Sequence, residues 1–397
     1  MRATLHLAPG KDKVVMRRHP WIFSGAVRHV EGEPQEGDLV DVVAADGQWL
    51  AVGHYQSDSI ICKVLSFDTK DIDQEFFEGR ILSAISYRKQ LGFFEHEATN
   101  VFRLVHAEGD GLPGLVCDWY NGVLVMQAHS VGMHRLFPML TELFVKHLEE
   151  HQIKAVFDKS SSTVPGGGTD GFLWGKELNE HEVRENNIKL LINFYEGQKT
   201  GFFIDQRENR ALVAELSRNR RVLNCFGYTG GFSLAAIQGG AKYVETVDIS
   251  KKAIELCNQN VAMNFGKECH SHQGVVADVL KYLSDVPNGT EAAGFDFIIL
   301  DPPAFAKNHR SLQQGLKGYR SINQRAMEKI ANGGLLMTFS CSQAVSREDF
   351  QTMCFTAAAN AHRNVRIVLQ LPHAMDHPVS IYHPEGEYLK GLLLYIE

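Results

Sequence analysis

No two of the seven cysteines stand at a C-x-x-C spacing, and their number is odd. This argues against a zinc ribbon and against a closed disulfide framework. The 18 histidines are scattered, with no H-E-x-x-H cluster, so no metal site is expected. No apolar run approaches the ~18 residues of a membrane helix, and no membrane partner is expected. The opening residues MRATLHLAPGKDKVV contain no apolar stretch of signal-peptide length, which makes a reducing cytoplasm the expected location. Positive charge is in deficit: 40 Lys and Arg face 47 Asp and Glu, a net charge of −7. Taken alone, that disfavours a nucleic-acid partner. What is present is ordinary for a globular chain, with 44% hydrophobic and 22% charged residues. A length of 397 residues corresponds, at about 150 per domain, to two or three domains.

The hydrophobic pattern changes along the chain. Residues 1–70 read as all-β: 37–43 alternates, Asp46-Gly47 signals a hairpin, and 49–53 and 59–67 supply further strands. Several short strands of this kind suggest a small barrel. Phe77, Ile81, Ile85 and Leu91 mark an amphipathic helix within 72–94. Strands at 101–106, 114–119 and 123–128, a helix at 133–150 and a strand at 154–158 make a central α+β unit, 71–184. From about 185 to 397 the rhythm is β-α-β-α. Apolar runs at 189–194, 221–226, 243–248, 274–277, 295–300, 335–340, 365–371 and 391–396 predict a parallel sheet covered by helices on both faces.

Several strand ends in this last region carry candidate chemistry. Asn224 to Gly231 follows a strand and opens a helix. Phe226, Gly227, Tyr228, Thr229 and Gly230 would form a turn whose backbone approaches a ligand. Asp248 ends the next strand, 21 residues after Gly227, where a carboxylate meets ribose hydroxyls in doubly wound folds. The G-x-x-G-G spacing is not the G-x-G-x-x-G of a pyrophosphate-binding loop. A ribose-bearing ligand without a diphosphate remains, and S-adenosylmethionine (SAM) fits. A glycine turn with Asp248 capping a helix that begins at Ile249-Ser250 is the alternative. Asp278 follows another apolar run and serves equally as a contact to an adenine amino group or as a helix cap.

Ile298 to Asp301 is a buried strand ending in a carboxylate, and Pro302-Pro303 fix the turn. Asp301 is then presented to a planar base edge. Phe305 either stacks on that base or fills the core. Cys341 ends the following strand on the same edge. A thiolate is the natural nucleophile for carbon 6 of a pyrimidine, since addition there makes carbon 5 enamine-like. The competing reading is a small buried apolar residue.

Local counting changes the charge argument. Residues 1–29 carry Arg2, Lys11, Lys13, Arg17, Arg18 and Arg28 against Asp12, net +5. Residues 304–327 carry Lys307, Arg310, Lys317, Arg320 and Arg325 with no acid, again +5. Two basic stretches on an acidic body, one directly after Asp301, point towards RNA phosphates.

With these motifs in place the chain resembles a bacterial family of SAM-dependent cytosine-5 methyltransferases of large-subunit (23S) ribosomal RNA. The resemblance rests on Arg18-His19-Pro20-Trp21-Ile22-Phe23-Ser24-Gly25, on Gly197 to Arg207 (GQKTGFFIDQR), and on the motifs above, and it spans the whole chain. It implies an N-terminal PUA barrel, a central α+β domain and a class I, Rossmann-like methyltransferase domain. It further implies that Gly227 to Gly230, Asp248, with Ile249 beside it, Asp278 and Asp301 hold SAM, that Thr200, Gln206 and Arg207 lie near its methionine end, and that Cys341 is the nucleophile. Phe305, Lys307, Arg310, Lys11, Arg17 and Arg18 are the expected RNA contacts. One departure stands out: many such enzymes carry a second Cys beside the Asp301-type motif, and here the motif is Asp-Pro-Pro. The base that removes the carbon-5 proton is thereby unassigned. Three alternatives stay open: methylation of another atom such as guanine nitrogen 7 or an exocyclic amine, a small-molecule methyltransferase, and a non-catalytic RNA-binding assembly factor.

Overall fold

The computed structural model describes residues 2–178, 180–285, 294–306 and 308–397. The chain divides into two compact units, 1–205 with 375–386, and 206–374 with 387–397.

In the first unit, β1 (Ala3–Leu7), α1 (Asp12–Met16), β2 (Trp21–Phe23), β3 (Val27–Glu31), β4 (Leu39–Val43), β5 (Trp49–Tyr55) and β6 (Ile60–Ser66) come first. The strands form one sheet in the order β2-β6-β5-β4-β1-β3, antiparallel except where β1 lies parallel to β4. Alternate residues Leu5, Leu7, Val40, Val42 and Val64 point into its core, as period-2 patterning requires. The all-β reading of residues 1–70 missed α1, a single turn and a half that buries only Val15. One buried side chain is too little for a helical period to show in the sequence.

Next follow α2 (Gln74–Gln90), β7 (Val101–His106), β8 (Leu115–Tyr120), β9 (Val123–Ala128), α3 (Val131–Arg135), α4 (Phe137–Leu148), β10 (Ala155–Asp158), β11 (Gly171–Gly175), β12 (His181–Glu185) and β13 (Ile188–Ile192). The expected 133–150 helix is two helices that meet at Leu136. Pro138 stands in the first turn of α4, where its missing N–H costs nothing. Strands β7 to β11 form a second sheet in the order β11-β10-β9-β8-β7, with α2 and α4 packed through Phe77, Ile81, Leu140 and Phe144. The predicted strand at 189–194 is β13, and it does not join the parallel sheet. It pairs antiparallel with β12, Glu185 opposite Ile188. Asn186 and Asn187, at φ of +50° and +66°, close the two-residue turn, the geometry of a type I′ hairpin. An apolar run reads the same whether its partner is parallel or antiparallel, so the sequence pattern could not separate the two.

Segment 375–386 belongs to the first unit through a buried polar network. Asp376 Oδ2 accepts from the Arg103 N–H at 2.7 Å, and Arg88 donates to the Asp376 carbonyl while holding Asp110 with both terminal nitrogens. Arg88 is wholly buried, and its charge is matched there by carboxylate and carbonyl partners, as a buried guanidinium requires.

The second unit contains α5 (Arg207–Leu216), β14 (Arg221–Cys225), α6 (Gly231–Gln238), β15 (Tyr243–Asp248), α7 (Lys251–Phe265), β16 (His272–Val276), α8 (Val279–Asp285), β17 (Phe295–Leu300), α9 (Leu312–Lys329), β18 (Ile330–Ser340), α10 (Arg347–Asn360), β19 (Val365–Leu371) and β20 (Lys390–Ile396). Its sheet has the order β16-β15-β14-β17-β18-β20-β19. Helices α8, α9 and α10 pack on a core that includes Ile298, Leu300 and Leu336, and α5, α6 and α7 pack in sequence beside β14 to β16. The sheet is not all parallel as expected. β20 inserts antiparallel between β18 and β19. The run 365–371 has no crossover helix before 390, so the chain returns in the opposite direction. This reversal has a consequence for the site: the start of β20 lies at the edge where the parallel strands end.

Candidate cofactor and base site

The order of β14 and its neighbours creates a switch point, because β15 and β17 flank β14 on opposite sides. Ligands of open α/β sheets bind beyond the carboxyl ends of strands at such a point. The turn after β14 sits there and its backbone is constrained. Phe226 and Tyr228 have φ of +60° and +45°, and Gly230 has +86°. Two non-glycine residues in the left-handed region are costly and persist only where surroundings hold them. The surroundings are visible. Tyr228 N–H donates to Asp248 Oδ2 at 3.0 Å, Gly227 N–H to the Val247 carbonyl at 3.1 Å, and the Asn260 side chain to the Thr229 carbonyl at 3.1 Å. A methyl group on Gly227 would lie 2.3 Å from Thr246 Cγ2, and one on Gly230 2.4 Å from Cys257 Sγ. Beneath the turn runs a buried chain of hydrogen bonds, Asn224 to Ser233 (2.8 Å), Ser233 to Thr246 (2.6 Å) and Thr246 to His272 (2.8 Å). Burial pushes His272 down to about 4, so the ring is neutral at pH 7. Apart from Asn224, which opens the motif read from sequence, these supporting residues were not singled out, since each is a common strand or helix residue whose partner is remote.

Asp248 therefore uses its carboxylate on backbone donors, Tyr228 and also Ser250 N–H at 2.8 Å. It is not the cap of α7; Ser250 is, accepting from Ala253 N–H at 3.2 Å. Ile249 beside it is 72% exposed. Asp278 is exposed and caps α8 through Lys281 N–H at 3.0 Å, which uses one of its two oxygens. Gln206 and Arg207 are buried at the start of α5. That helix runs alongside α6: Arg210 faces the Phe232 ring at 5.9 Å and Ala214 meets Gly239. The parallel course brings Gln206 and Arg207 to the turn end of α6. Thr200 belongs to the first unit, where its hydroxyl donates to Asp118 and shares a hydrogen bond with Tyr120 at 3.0 Å.

The loops after β17 and β18 are tied into one rigid edge. Cys341 Sγ donates to the Pro302 carbonyl over 3.8 Å. Ser342 Oγ accepts from Ala306 N–H at 3.2 Å and shares a 2.8 Å hydrogen bond with Tyr319, which in turn accepts from Phe305 N–H at 3.4 Å. Asp301 and Cys341 are half-buried. Phe305 lies against Tyr319, ring centroids 4.7 Å apart, with Gly318 directly behind it, so much of its surface is packed against α9. Among the other cysteines, Cys62, Cys117, Cys225, Cys257 and Cys354 are buried. Burial pushes Cys257 and Cys354 up to about 12, which removes them as nucleophiles at neutral pH. Lys390, absent from the sequence reading, is buried at the same edge.

Of the basic stretches, Arg310, Lys317 and Arg325 are exposed and Arg320 half-exposed around α9, and Lys307 lies outside the described residues. In the first unit Lys11 and Arg17 are exposed, whereas Arg18 forms a two-pronged ion pair with Asp68. Fifty residues separate that pair, so local counting overstated the free charge. Among the described residues no group of three or more His, Cys, Asp and Glu could hold a metal, and no helix is long and apolar enough to cross a membrane.

Comparison with known proteins identifies the family. Residues 160–378 match the S-adenosylmethionine-dependent methyltransferase family and residues 5–67 a PUA-like domain. The chain is 38% identical to "Ribosomal RNA large subunit methyltransferase I" of Aeromonas salmonicida over 99% of both chains. It is 39% identical to the protein of that name from Shewanella denitrificans, again over 99% of both. In fold it is similar to a putative SAM-dependent methyltransferase from Streptococcus mutans, at a TM-score of 0.85 and 19% identity, and to a putative methyltransferase complexed with SAH (S-adenosylhomocysteine), at 0.86 and 20%, each over 100% of both chains. The chain therefore belongs to the ribosomal RNA large subunit methyltransferase I family, with a SAM-dependent methyltransferase region over 160–378.

Proposed function

We propose that this protein methylates carbon 5 of a specific cytosine in 23S ribosomal RNA through a transient bond from Cys341. The observation that carries this reading is the placement of Cys341, half-buried at the end of β18 and held beside the Asp301-Pro302-Pro303 turn. In this reading residues 1–70 are an RNA-binding barrel, 71–184 a central domain and 185–397 the methyltransferase domain. The donor set fits SAM: Asp248 has lone pairs left for ribose hydroxyls, the exposed Ile249 covers an apolar ring face, and the second oxygen of Asp278 is available to an adenine amino group. Gln206, Arg207 and the Phe226 to Gly230 turn line the rest. An RNA substrate of this kind places the protein in the cytoplasm.

The target cytosine is unstacked from the RNA, and Asp301 orients it and supports protonation at nitrogen 3. The Cys341 thiolate forms a bond to carbon 6, which breaks the 5,6 double bond and moves its electron pair to carbon 5. SAM, when bound, supplies a methyl group on a positively charged sulfur as the electrophile for that carbon. A base, or solvent water, takes the carbon-5 proton; the C–H electron pair restores the 5,6 double bond and the C–S pair returns to Cys341. Holding base and thiol together supplies much of the acceleration.

The test is nucleoside analysis after incubation with ribosomal RNA and methyl-labelled SAM. The label is expected in 5-methylcytidine. Label in 7-methylguanosine or an N-methylated base would overturn the assignment, and equal activity on free nucleosides would favour a small-molecule substrate.

The basic face of α9 makes a further prediction. Arg310, in the turn that leads into α9, and Lys317 are exposed, and Arg320 is half-exposed. Replacing all three by Gln should reduce the slope of log K against log salt by about 2–3, since each phosphate contact contributes about 0.7–0.9. Affinity should fall uniformly across RNA sequences, with SAM binding unchanged. Filter binding between 50 and 200 mM salt reads the slope; an unaltered slope would show that α9 does not touch the backbone.

A further inference from the structure

We propose that Lys390 is a positioning residue for the reaction: its ammonium, fixed at the edge of the sheet beside Cys341, holds that side chain as a thiolate ready to add to the base. This inference rests on the reading of Cys341 as the nucleophile and deepens it.

In a sheet whose strands were all parallel, the edge beyond β17 and β18 would receive only strand ends. β20 is antiparallel, so its first residue arrives at that edge. That residue is Lys390, and it pairs with Ser340, the last residue of β18 and the neighbour of Cys341. A lysine is an unexpected choice there. It begins the otherwise apolar run Gly391-Leu392-Leu393-Leu394, and only 3% of it is exposed. A buried ammonium is retained against a considerable desolvation cost, so its partners matter.

Its hydrogen bonds run to two backbone carbonyls. Nζ donates to the Ser342 oxygen at 2.7 Å and to the Tyr388 oxygen at 2.8 Å. Neither is a carboxylate, so neither neutralises the charge. An ammonium has three N–H donors, and the Ser342 carbonyl is one residue beyond Cys341. The charge is therefore pinned between the end of β18 and the start of β20, with Cys341 as the adjacent group able to become an anion. Glu387 also favours the charged lysine, but Arg347 of α10 engages it in an ion pair, and the guanidinium's own charge opposes that of Lys390. The His373 ring is bound to the Leu389 backbone at 3.1 Å. Tyr319 of α9 faces Cys341 as a phenol, kept protonated because burial raises it. Asp301 lies at the end of β17 and is assigned to the base. Burial pushes Lys390 down to about 8, and a negative Cys341 opposes that fall. The two groups thus favour each other's charged form.

Lys390 is a cation built into the edge that carries Cys341. The thiol proton goes to solvent before the base enters, and the ammonium keeps its own.

The test reads Cys341 directly. Its alkylation by iodoacetamide is followed in the whole protein by mass spectrometry of the Cys341 peptide, from pH 5.5 to 10. In Lys390→Gln the rise in rate should move upward by about one pH unit, since one unit corresponds to a tenfold change in thiolate at pH 7. Lys390→Arg, which keeps the charge, should restore most of the shift. Methyl transfer by Lys390→Gln should fall about tenfold at pH 7 and recover as pH rises. If Lys390→Gln does not fold, wild type still decides: a Cys341 profile with its midpoint at or above the ~8.5 of a free thiol overturns the proposal, as does a Lys390→Gln profile superimposing on wild type. The two readings fail separately. A shifted profile with full methylation by Cys341→Ala sinks the nucleophile assignment and leaves the ion pair. An inactive Cys341→Ala with an unshifted profile does the reverse.

Discussion

Cys341→Ala should lower methyl transfer to ribosomal RNA by at least about 10³-fold, because removal of a covalent nucleophile eliminates the pathway and not merely one contact to it. The same variant should bind SAM within about twofold of wild type, for the turn after β14 and Asp248 lie on the other side of the switch point. That split separates a chemical role from a structural one. Structural damage is expected to be small. Cys341 is half-buried and its hydrogen bond to the Pro302 carbonyl is a long 3.8 Å contact, whereas Ser342, Tyr319 and Ala306 tie the edge together. A companion measurement uses RNA containing 5-fluorocytosine. The fluorine at carbon 5 cannot leave as a proton does, so the adduct should accumulate as a protein–RNA band resistant to denaturation. The band should vanish in Cys341→Ala. Trapping that persists in the variant, or activity within tenfold of wild type, would transfer the reaction to another residue or another atom of the base.

The contrast among the cysteines shows what decides a nucleophile. Cys225 ends β14 in the same way that Cys341 follows β18, yet Cys225 is fully buried in the core shared with Ile298 and Leu300, and burial raises it. Cys341 lies one residue beyond its strand, where the backbone has turned out of the sheet. A difference of one position relative to the strand end converts an inert core thiol into a presented one.

Much of the second unit was legible because it depends on local pattern. Buried parallel strands read as continuous apolar runs, and a carboxylate or thiol ending each run stands out against them. Asp248, Asp301 and Cys341 were visible for that reason. What escaped depends on pairing at a distance. The direction of β20 is decided by its neighbours, and with it the position of Lys390, which in sequence resembles a polar residue at the start of a strand. Tyr319 and Ser342 stabilise the edge only through each other, 23 residues apart. Arg18 counted as a free charge until Asp68 arrived beside it. The same limit explains the β12–β13 hairpin: the apolar run at 189–194 fitted either a parallel or an antiparallel partner.

Asp248→Asn should weaken SAM binding by about 10- to 100-fold, the equivalent of one charge-assisted hydrogen bond of about 1.5–3 kcal/mol. The two oxygens of the Asp248 carboxylate accept from Tyr228 and Ser250 N–H groups, and an ionised carboxylate has about four acceptor positions, so both ribose hydroxyls of a nucleoside can still be received. Asparagine keeps one oxygen and replaces the other by an NH2 group, which would face one of those backbone donors. The loss then has two parts. A ribose hydroxyl loses its charged acceptor, and Tyr228, at φ +45°, loses a bond that holds an unfavourable backbone conformation. Titration calorimetry with SAM and with S-adenosylhomocysteine should show the same loss for both, because the methyl group is remote from the ribose. The control is Ser250→Ala. Ser250 is the cap of α7, and removing it should cost about 1 kcal/mol of stability with SAM affinity unchanged. If the two variants instead lose stability alike and neither loses affinity, Asp248 is part of the turn's scaffold and the ribose is held elsewhere. If Asp248→Asn alone loses affinity, the carboxylate at the end of β15 is both the brace of the turn and the receptor for the sugar.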